Sequence, residues 1–360
     1  MPNFANAMNR RKPVKRPRIL RIHGHSTGFY TKVIFAKMRL PLPLLTSPFF
    51  LFGSLDELNR AIGNIDEVER TEILRLHAIG LPPVSSRNTL ATMFGINPDM
   101  IWSFENRSKV HYRSFKIKKG KNGGFRSIVA PRVALKVIQK WLSYHLSRLF
   151  RSPDHVYGFV NGRSHIDAAK IHCNAKWIFS VDIKNFFETT SSFVVIRALE
   201  NIGFNIDSAK MIARLSCYEG FLAQGSPCSP ILSNMCFEVV DSDLLRLAAK
   251  YEVRMTRYAD DIVFSGIKNF PEDLKNDVLE LFVQNFWSLS TEKICFATSP
   301  QRLKVHGLLV HSECIRLTKG YRNKIRAYKY MLDKNKIIEK DFSKIYGHLK
   351  YADYVENKIK

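Results

Sequence analysis

The chain has 360 residues, 45% of them apolar, with 56 basic and 32 acidic side chains and a formal net charge of +24. That apolar share over that length is enough to bury two or three lobes, which excludes a predominantly disordered chain, and the positive excess favours a polyanionic partner. The six cysteines, at 173, 217, 228, 236, 295 and 314, form no Cys-x-x-Cys pair, which argues against a zinc site or disulfide framework and fits the reduced thiols of a cytoplasmic protein.

The chain opens on a basic cluster, Arg10, Arg11, Lys12, Lys15, Arg16, Arg18 and Arg21, interrupted by Pro13 and Pro17 and followed by no clean apolar run, so it does not read as a secretory signal. Residues 1–50 carry no assignable pattern. The most apolar stretch, Leu40 to Phe52, is too short to cross a bilayer and contains Pro41, Pro43 and Pro48, so no membrane is expected among the partners. Ser54-Leu-Asp-Glu57 reads as a capping box opening a helix, and Thr89 to Gly95 as a short helix closed by glycine. Residues 1–109 are therefore expected to be a basic arm and a helical extension. No repeat of solenoid period is present.

Further on, the apolar run of Trp177-Ile-Phe-Ser-Val-Asp182 ends at an acid, placing Asp182 at the end of a buried strand where a charge needs a partner or a metal. Phe221-Leu-Ala-Gln-Gly-Ser-Pro-Cys-Ser-Pro230 is a Gly/Pro/Ser loop running into a helix, with Ser229 expected at the N-cap and Pro230 at the first helical position. Leu232, Met235, Cys236, Val239, Val240, Leu244 and Leu247 recur at helical spacing and predict one buried face. Met255-Thr-Arg-Tyr-Ala-Asp-Asp-Ile-Val-Phe-Ser265 then reads as a β-hairpin with Asp260 and Asp261 at its tip. Adjacent acids between apolar runs repel and resist desolvation, which a hard divalent cation relieves; by composition alone a solvated turn is the competing reading. From Lys319 onward, Arg322, Lys324, Arg326, Lys329, Lys334 and Lys336 interleave with Tyr321, Tyr328, Tyr330 and Tyr346. Such a pattern suits phosphate and base contacts, or a helix with its tyrosines packed inward.

These blocks, in this order, resemble a reverse transcriptase, and most of all the bacterial retron type, over about Tyr112 to Leu332. Phe115-Lys-Ile-Lys-Lys-Gly-Lys-Asn-Gly-Gly-Phe-Arg126-Ser-Ile-Val-Ala-Pro131 is similar to the family's fingers hairpin, followed by Leu135 to Trp141 and Val156-Tyr-Gly-Phe-Val-Asn-Gly-Arg163. Ser290-Thr-Glu-Lys293 and Val305-His-Gly-Leu-Leu-Val310 fall where its later palm blocks belong. Two stretches depart from the retron pattern: Ala168-Ala-Lys-Ile-His172 stands for Asn-Ala-x-x-His, and Val305-His306-Gly307 for Val-Thr-Gly.

The resemblance implies an α+β right-hand polymerase, with fingers at 110–175, a palm of antiparallel sheet and helices at 176–312, and a helical thumb at 313–360. It implies an RNA-directed DNA polymerase in which Asp182, Asp260 and Asp261 are the catalytic metal ligands for two Mg2+ ions. Arg126, with Lys119 or Lys118, would hold the triphosphate, Gln224 the incoming nucleotide and template, and Lys293 would protonate pyrophosphate. Phe187 would block a ribose 2'-hydroxyl, with one of Phe186 and Phe187 in the core because strand alternation would send them to opposite faces. Arg322, Lys324, Arg326 and Lys329 would bind RNA. The expected partners are a structured noncoding RNA that serves as template and primer, its DNA product, deoxynucleotides and an effector protein in anti-phage defence. About fifty residues follow Val310, too few for a nuclease domain of usual size, so template removal is expected from another enzyme. Another defence reverse transcriptase, a template-independent nucleotidyl transferase, and a non-catalytic maturase-like RNA binder are the rival readings.

Overall fold

The computed structural model describes residues 40–118 and 124–358. The basic cluster at 10–21 and Lys119 lie outside the described residues. Eleven short strands occur among those described: β1 (Tyr112–Lys118), β2 (Phe125–Pro131), β3 (Trp177–Asp182), β4 (Cys217–Tyr218), β5 (Phe221–Leu222), β6 (Arg254–Tyr258), β7 (Asp261–Gly266), β8 (Cys295–Thr298), β9 (Lys304–Val305), β10 (Leu308–Leu309) and β11 (Arg316–Leu317). β1 and β2 pair as an antiparallel hairpin, and β9, β10 and β11 form a small sheet. The sheet that matters for chemistry has the order β6-β7-β3-β8, antiparallel throughout.

Alternation along β3 and β7 sends side chains into two separate cores. Trp177, Phe179 and Val181 of β3, with Ile262 and Phe264 of β7, join the larger core, which also contains residues of the helices at 55–62, 87–94, 98–106, 133–149, 192–201, 206–216 and 238–250. Ile178 and Val263 face the other way, into a second core with Ile325, Ile345, Leu349 and Val355 of the C-terminal helices Lys319–Asp333 and Glu339–Asn357. Each such side chain, fully buried, contributes on the order of 1.5–3 kcal/mol of hydrophobic free energy. Fully buried His172 fastens this second face to the sheet, its ring nitrogens lying 2.7 Å from the Ser265 and Thr256 hydroxyls.

The helical extension forms as its capping residues dictate. Ser54 Oγ accepts from the Glu57 amide, while the Glu57 carboxylate accepts from Gly53 rather than from Ser54 as a full box requires. The next helix signal also holds: Arg87–Phe94 ends at Gly95 in the left-handed region.

Three local expectations need correction. The helix after the Gly/Pro/Ser loop starts at Ser229 with Cys228 as its cap, because the Ser229 hydroxyl donates to the Ala223 carbonyl and does not cap. That helix ends at Cys236, and a second runs from Glu238 to Lys250. The break at buried Phe237 rotates the apolar face, leaving Val239 68% exposed where sequence spacing predicts burial. Phe186 and Phe187 lie in a short helical turn, Phe186–Thr189, not in a strand; Phe186 is buried and Phe187 half-buried for that helical reason.

Candidate active site

The acidic hairpin closes tightly. Tyr258 pairs with Asp261 across β6 and β7, leaving Ala259 and Asp260 as a two-residue turn, with Ala259 at φ 60°. A positive φ at the first turn position suits the right-handed twist of hairpin strands, but a side chain there costs roughly 1–2 kcal/mol. Next to this turn, the β3–β7 register sets Asp182 opposite Asp261. The main chain locks the arrangement: Ile183 N–H donates to the Asp260 carbonyl at 2.9 Å, and Ser290 N–H to the Asp182 carbonyl at 2.8 Å.

Asp182 is 7% exposed, and its Oδ1 accepts from Lys293 Nζ at 2.6 Å and from Ser290 Oγ at 3.0 Å. Burial, and then the negative charges of Asp182 and Asp261, push the Asp260 carboxyl above its ordinary range, partly offset by its own backbone and by Lys293. Lys293 is moved up by its hydrogen bond to Asp182, which burial only partly opposes, and stays protonated. Three carboxylates against one ammonium are a donor set that fits a hard divalent cation. Among the described residues no three His, Cys, Asp or Glu side chains are placed to hold an ion ready-made; at Asp182 a cation would take the place of the Lys293 ammonium.

The Val305-His306-Gly307 departure has a structural counterpart beside this site. Val305 pairs with Leu308, so His306 and Gly307 form the β9–β10 turn, both with positive φ. His306 Nδ1 lies 3.7 Å from Asp261 Oδ2, and its ring centre 5.2 Å from that of Tyr258.

Behind the acidic turn is a set of residues that sequence reasoning missed. Val156 runs beside Arg257, and the Tyr157 amide donates to the Arg257 carbonyl at 2.8 Å. Gly158 then passes directly under the turn, where a Cβ would sit 2.1 Å from the Ala259 nitrogen. Arg257, fully buried, pairs with fully buried Asp241 and reaches Asn234 and the Ala259 carbonyl. The available signal was a charge out of place: Asp241 lies on the buried helix face of Phe237, Leu244 and Ala248, and Arg257 sits in a buried strand one residue from the paired Tyr258.

The remaining expected site residues fall into four groups. Lys293 joins the acids directly. Phe187 follows β3, its ring 5.7 Å from that of Phe159 and 5.9 Å from that of Phe186. Arg126 is exposed on β2 opposite Ile117, near exposed Lys118, and half-buried Gln224 lies in the loop whose Gly225 approaches β2 so closely that a Cβ would meet the Val129 carbonyl at 2.7 Å. Neither Arg126 nor Gln224 makes a hydrogen bond or ion pair with the acids among the described residues. On the helix Lys319–Asp333, Arg322, Arg326 and Lys329 are exposed, whereas Lys324 is half-buried, 3.0 Å from His348 Nε2 and stacked over Tyr321 and Tyr328. The tyrosines divide: Tyr321 and Tyr328 pack on the second core, while Tyr330 and Tyr346 are exposed.

An antiparallel sheet with one strand-end acid opposite an acidic hairpin turn, inside an α+β frame, defines the palm of a nucleotide-polymerising enzyme. Residues 117–328 match the family model "Reverse transcriptase (RNA-dependent DNA polymerase)". The retron Ec86 reverse transcriptase of Escherichia coli is 26% identical over 262 residues, covering 72% of this chain and 82% of that relative. The retron Se72 reverse transcriptase of Salmonella heidelberg is 27% identical, covering 72% and 70%. A solved telomerase of Candida albicans superposes with a TM-score of 0.42 at 12% identity, over 63% of this chain and 52% of that one. The chain belongs to the reverse transcriptase family, as a retron-type RNA-directed DNA polymerase. No helix of the described residues is long and apolar enough to cross a membrane.

Proposed function

We propose that the chain copies a structured noncoding RNA into single-stranded DNA, starting from a hydroxyl of that RNA, and that Asp182, Asp260 and Asp261 are its catalytic acids. The observation that carries this reading is the register that sets Asp182 opposite Asp261 with Asp260 in the adjoining turn. These three side chains would hold divalent ions, which as Mg2+ supply charge neutralisation at the transferring phosphate. Lys293, protonated at Nζ, would give a proton to the leaving pyrophosphate. Arg126, with Lys119 beyond the described residues, binds the triphosphate through its guanidinium fork. Gln224 and its loop back the base and template, and Phe187 excludes a ribose 2'-hydroxyl. Exposed Arg322, Arg326 and Lys329 bind the RNA backbone, while Lys324, held by His348, supports the helix that carries them. In this reading 110–175 are fingers, 176–312 palm and 313–360 thumb. The setting is cytoplasmic anti-phage defence with an effector protein, as the retron resemblance implies.

The test is extension by the purified chain bound to its own RNA, with Mg2+ and deoxynucleotides, followed by sequencing of both strands. DNA complementary to the RNA and joined to it through a branch is expected. Products unrelated to the template would favour a terminal transferase, and synthesis surviving Asp260→Asn with Asp261→Asn would displace the site.

A further inference from the structure

The acidic turn is held from behind by one buried cation. We propose that Arg257 is a positioning residue of the polymerase site, and that its guanidinium, fixed by Asp241 and Asn234, holds the Ala259 carbonyl and so sets the turn that presents Asp260 and Asp261. The inference rests on the reading of those two residues as catalytic acids.

The geometry uses four of the five guanidinium N–H groups. Arg257 Nε donates to Asp241 Oδ1 at 2.7 Å and Nη2 to Asp241 Oδ2 at 2.5 Å, a bidentate fork. Nη1 donates to Asn234 Oδ1 at 3.0 Å and to the Ala259 carbonyl at 3.1 Å. The Phe237 ring covers the guanidinium carbon at 4.9 Å. Burial raises the Asp241 carboxyl, but the Arg257 charge and the neighbouring His155 outweigh it and leave Asp241 ionised. Asn234 Nδ2 in turn donates to the Gly158 carbonyl at 3.0 Å, tying the segment under the turn to the same cation.

A fully buried ion pair is a poor way to gain stability, since apolar residues of similar volume serve as well. Its retention here has a local explanation in Ala259. Alanine disfavours the left-handed conformation that the turn demands, and its carbonyl is the one turn atom that Arg257 grips. Were the turn to relax, Asp260 would swing relative to Asp182 while the sheet stayed paired.

The experiment compares Arg257→Met, the double change Arg257→Met with Asp241→Leu, and Arg257→Lys, by chemical denaturation and by kcat and KM for a deoxynucleotide in RNA-templated extension. The single Met variant strands Asp241 and loses stability. The double variant regains the denaturation midpoint, yet its kcat stays at least tenfold below the native value with KM within about twofold. Arg257→Lys keeps a charge for Asp241 but cannot span both Asp241 oxygens and Ala259, and its kcat falls likewise. Adding Ala259→Gly, which makes the turn conformation intrinsic, restores part of kcat in whichever of these backgrounds folds. Native kcat in either folded variant, or no gain from Ala259→Gly, overturns the proposal. Asp260→Asn with Asp261→Asn runs alongside: if it still polymerises, the catalytic assignment itself fails, whereas an inactive control with normal Arg257 variants removes only the positioning role.

Discussion

Gly158 and Ala259 meet backbone to backbone, so close that a single added carbon at 158 would lie 2.1 Å from the Ala259 amide nitrogen. Gly158→Ala must therefore move the acidic turn or the segment beneath it, since neither contact is the end of a flexible side chain. Overpacking of this kind costs about 1–3 kcal/mol. The expected result is a modest loss of stability and a kcat lowered by tenfold or more in RNA-templated extension. A variant of native kcat would mean that the segment yields and the turn does not.

Phe187 governs sugar choice in the reading above. Phe187→Val should raise ribonucleotide incorporation relative to deoxynucleotide by about 10- to 100-fold, the range that small changes in pocket shape achieve. Competing the two substrates on one template measures it. Unchanged selectivity would assign Phe187, like Phe186, to packing alone.

Arg322, Arg326 and Lys329 are exposed on one helix, whereas Lys324 is held by His348. Replacing the three exposed residues by Gln should weaken RNA binding and reduce the slope of log affinity against log salt by roughly 2–3, about one per lost phosphate contact. Lys324→Gln should alter that slope much less and lower helix stability instead. A salt titration of RNA affinity separates the two, and equal slopes for the triple variant and the native chain would remove this helix from the interface.

His172 contributes a pH dependence to folding. Burial, followed by the nearby charges of Arg254 and His306, pushes its imidazole down to about 3. The unfolded chain, with a histidine near 6.5, takes up the proton first. His172 therefore favours the folded state fully above about pH 6.5, and this contribution is lost as the pH falls toward 3. From pH 8 to pH 5 the loss is about 2 kcal/mol. His145 and His165, also lowered chiefly by burial, act in the same direction. Urea unfolding of His172→Gln should show a shallower decline over this interval, and a decline as steep as the native one would contradict the assignment.

The acidic turn and the Asp182 strand were legible because both depend on short-range pattern: a short apolar run, and carboxylates where that run stops. Ser54 and Gly95 mark helix ends through interactions spanning at most four residues, so these two helices of the extension were legible as well. What stayed hidden depends on partners far apart in the chain. Arg257 meets Asp241 and Asn234 across 16 and 23 residues, and Asp182 meets Lys293 across 111. Val239 was misplaced because one break at Phe237 turns the following helix, and periodicity read through the break carries the face with it. The Phe186–Phe187 pair was read as strand because a four-residue helical turn is too short to show a period of 3.6.

Because β3 serves two interiors at once, the chemistry of this enzyme is tethered to its bookends of hydrocarbon. Adding or deleting a single residue between Trp177 and Asp182 would exchange Phe179 with Ser180 between the hand's two insides and carry the carboxylate away from Asp261 in the same stroke. Length variation compatible with activity is thus confined to the connections outside this strand, and lineages diverging from this chain should lengthen or shorten there while β3 keeps its count.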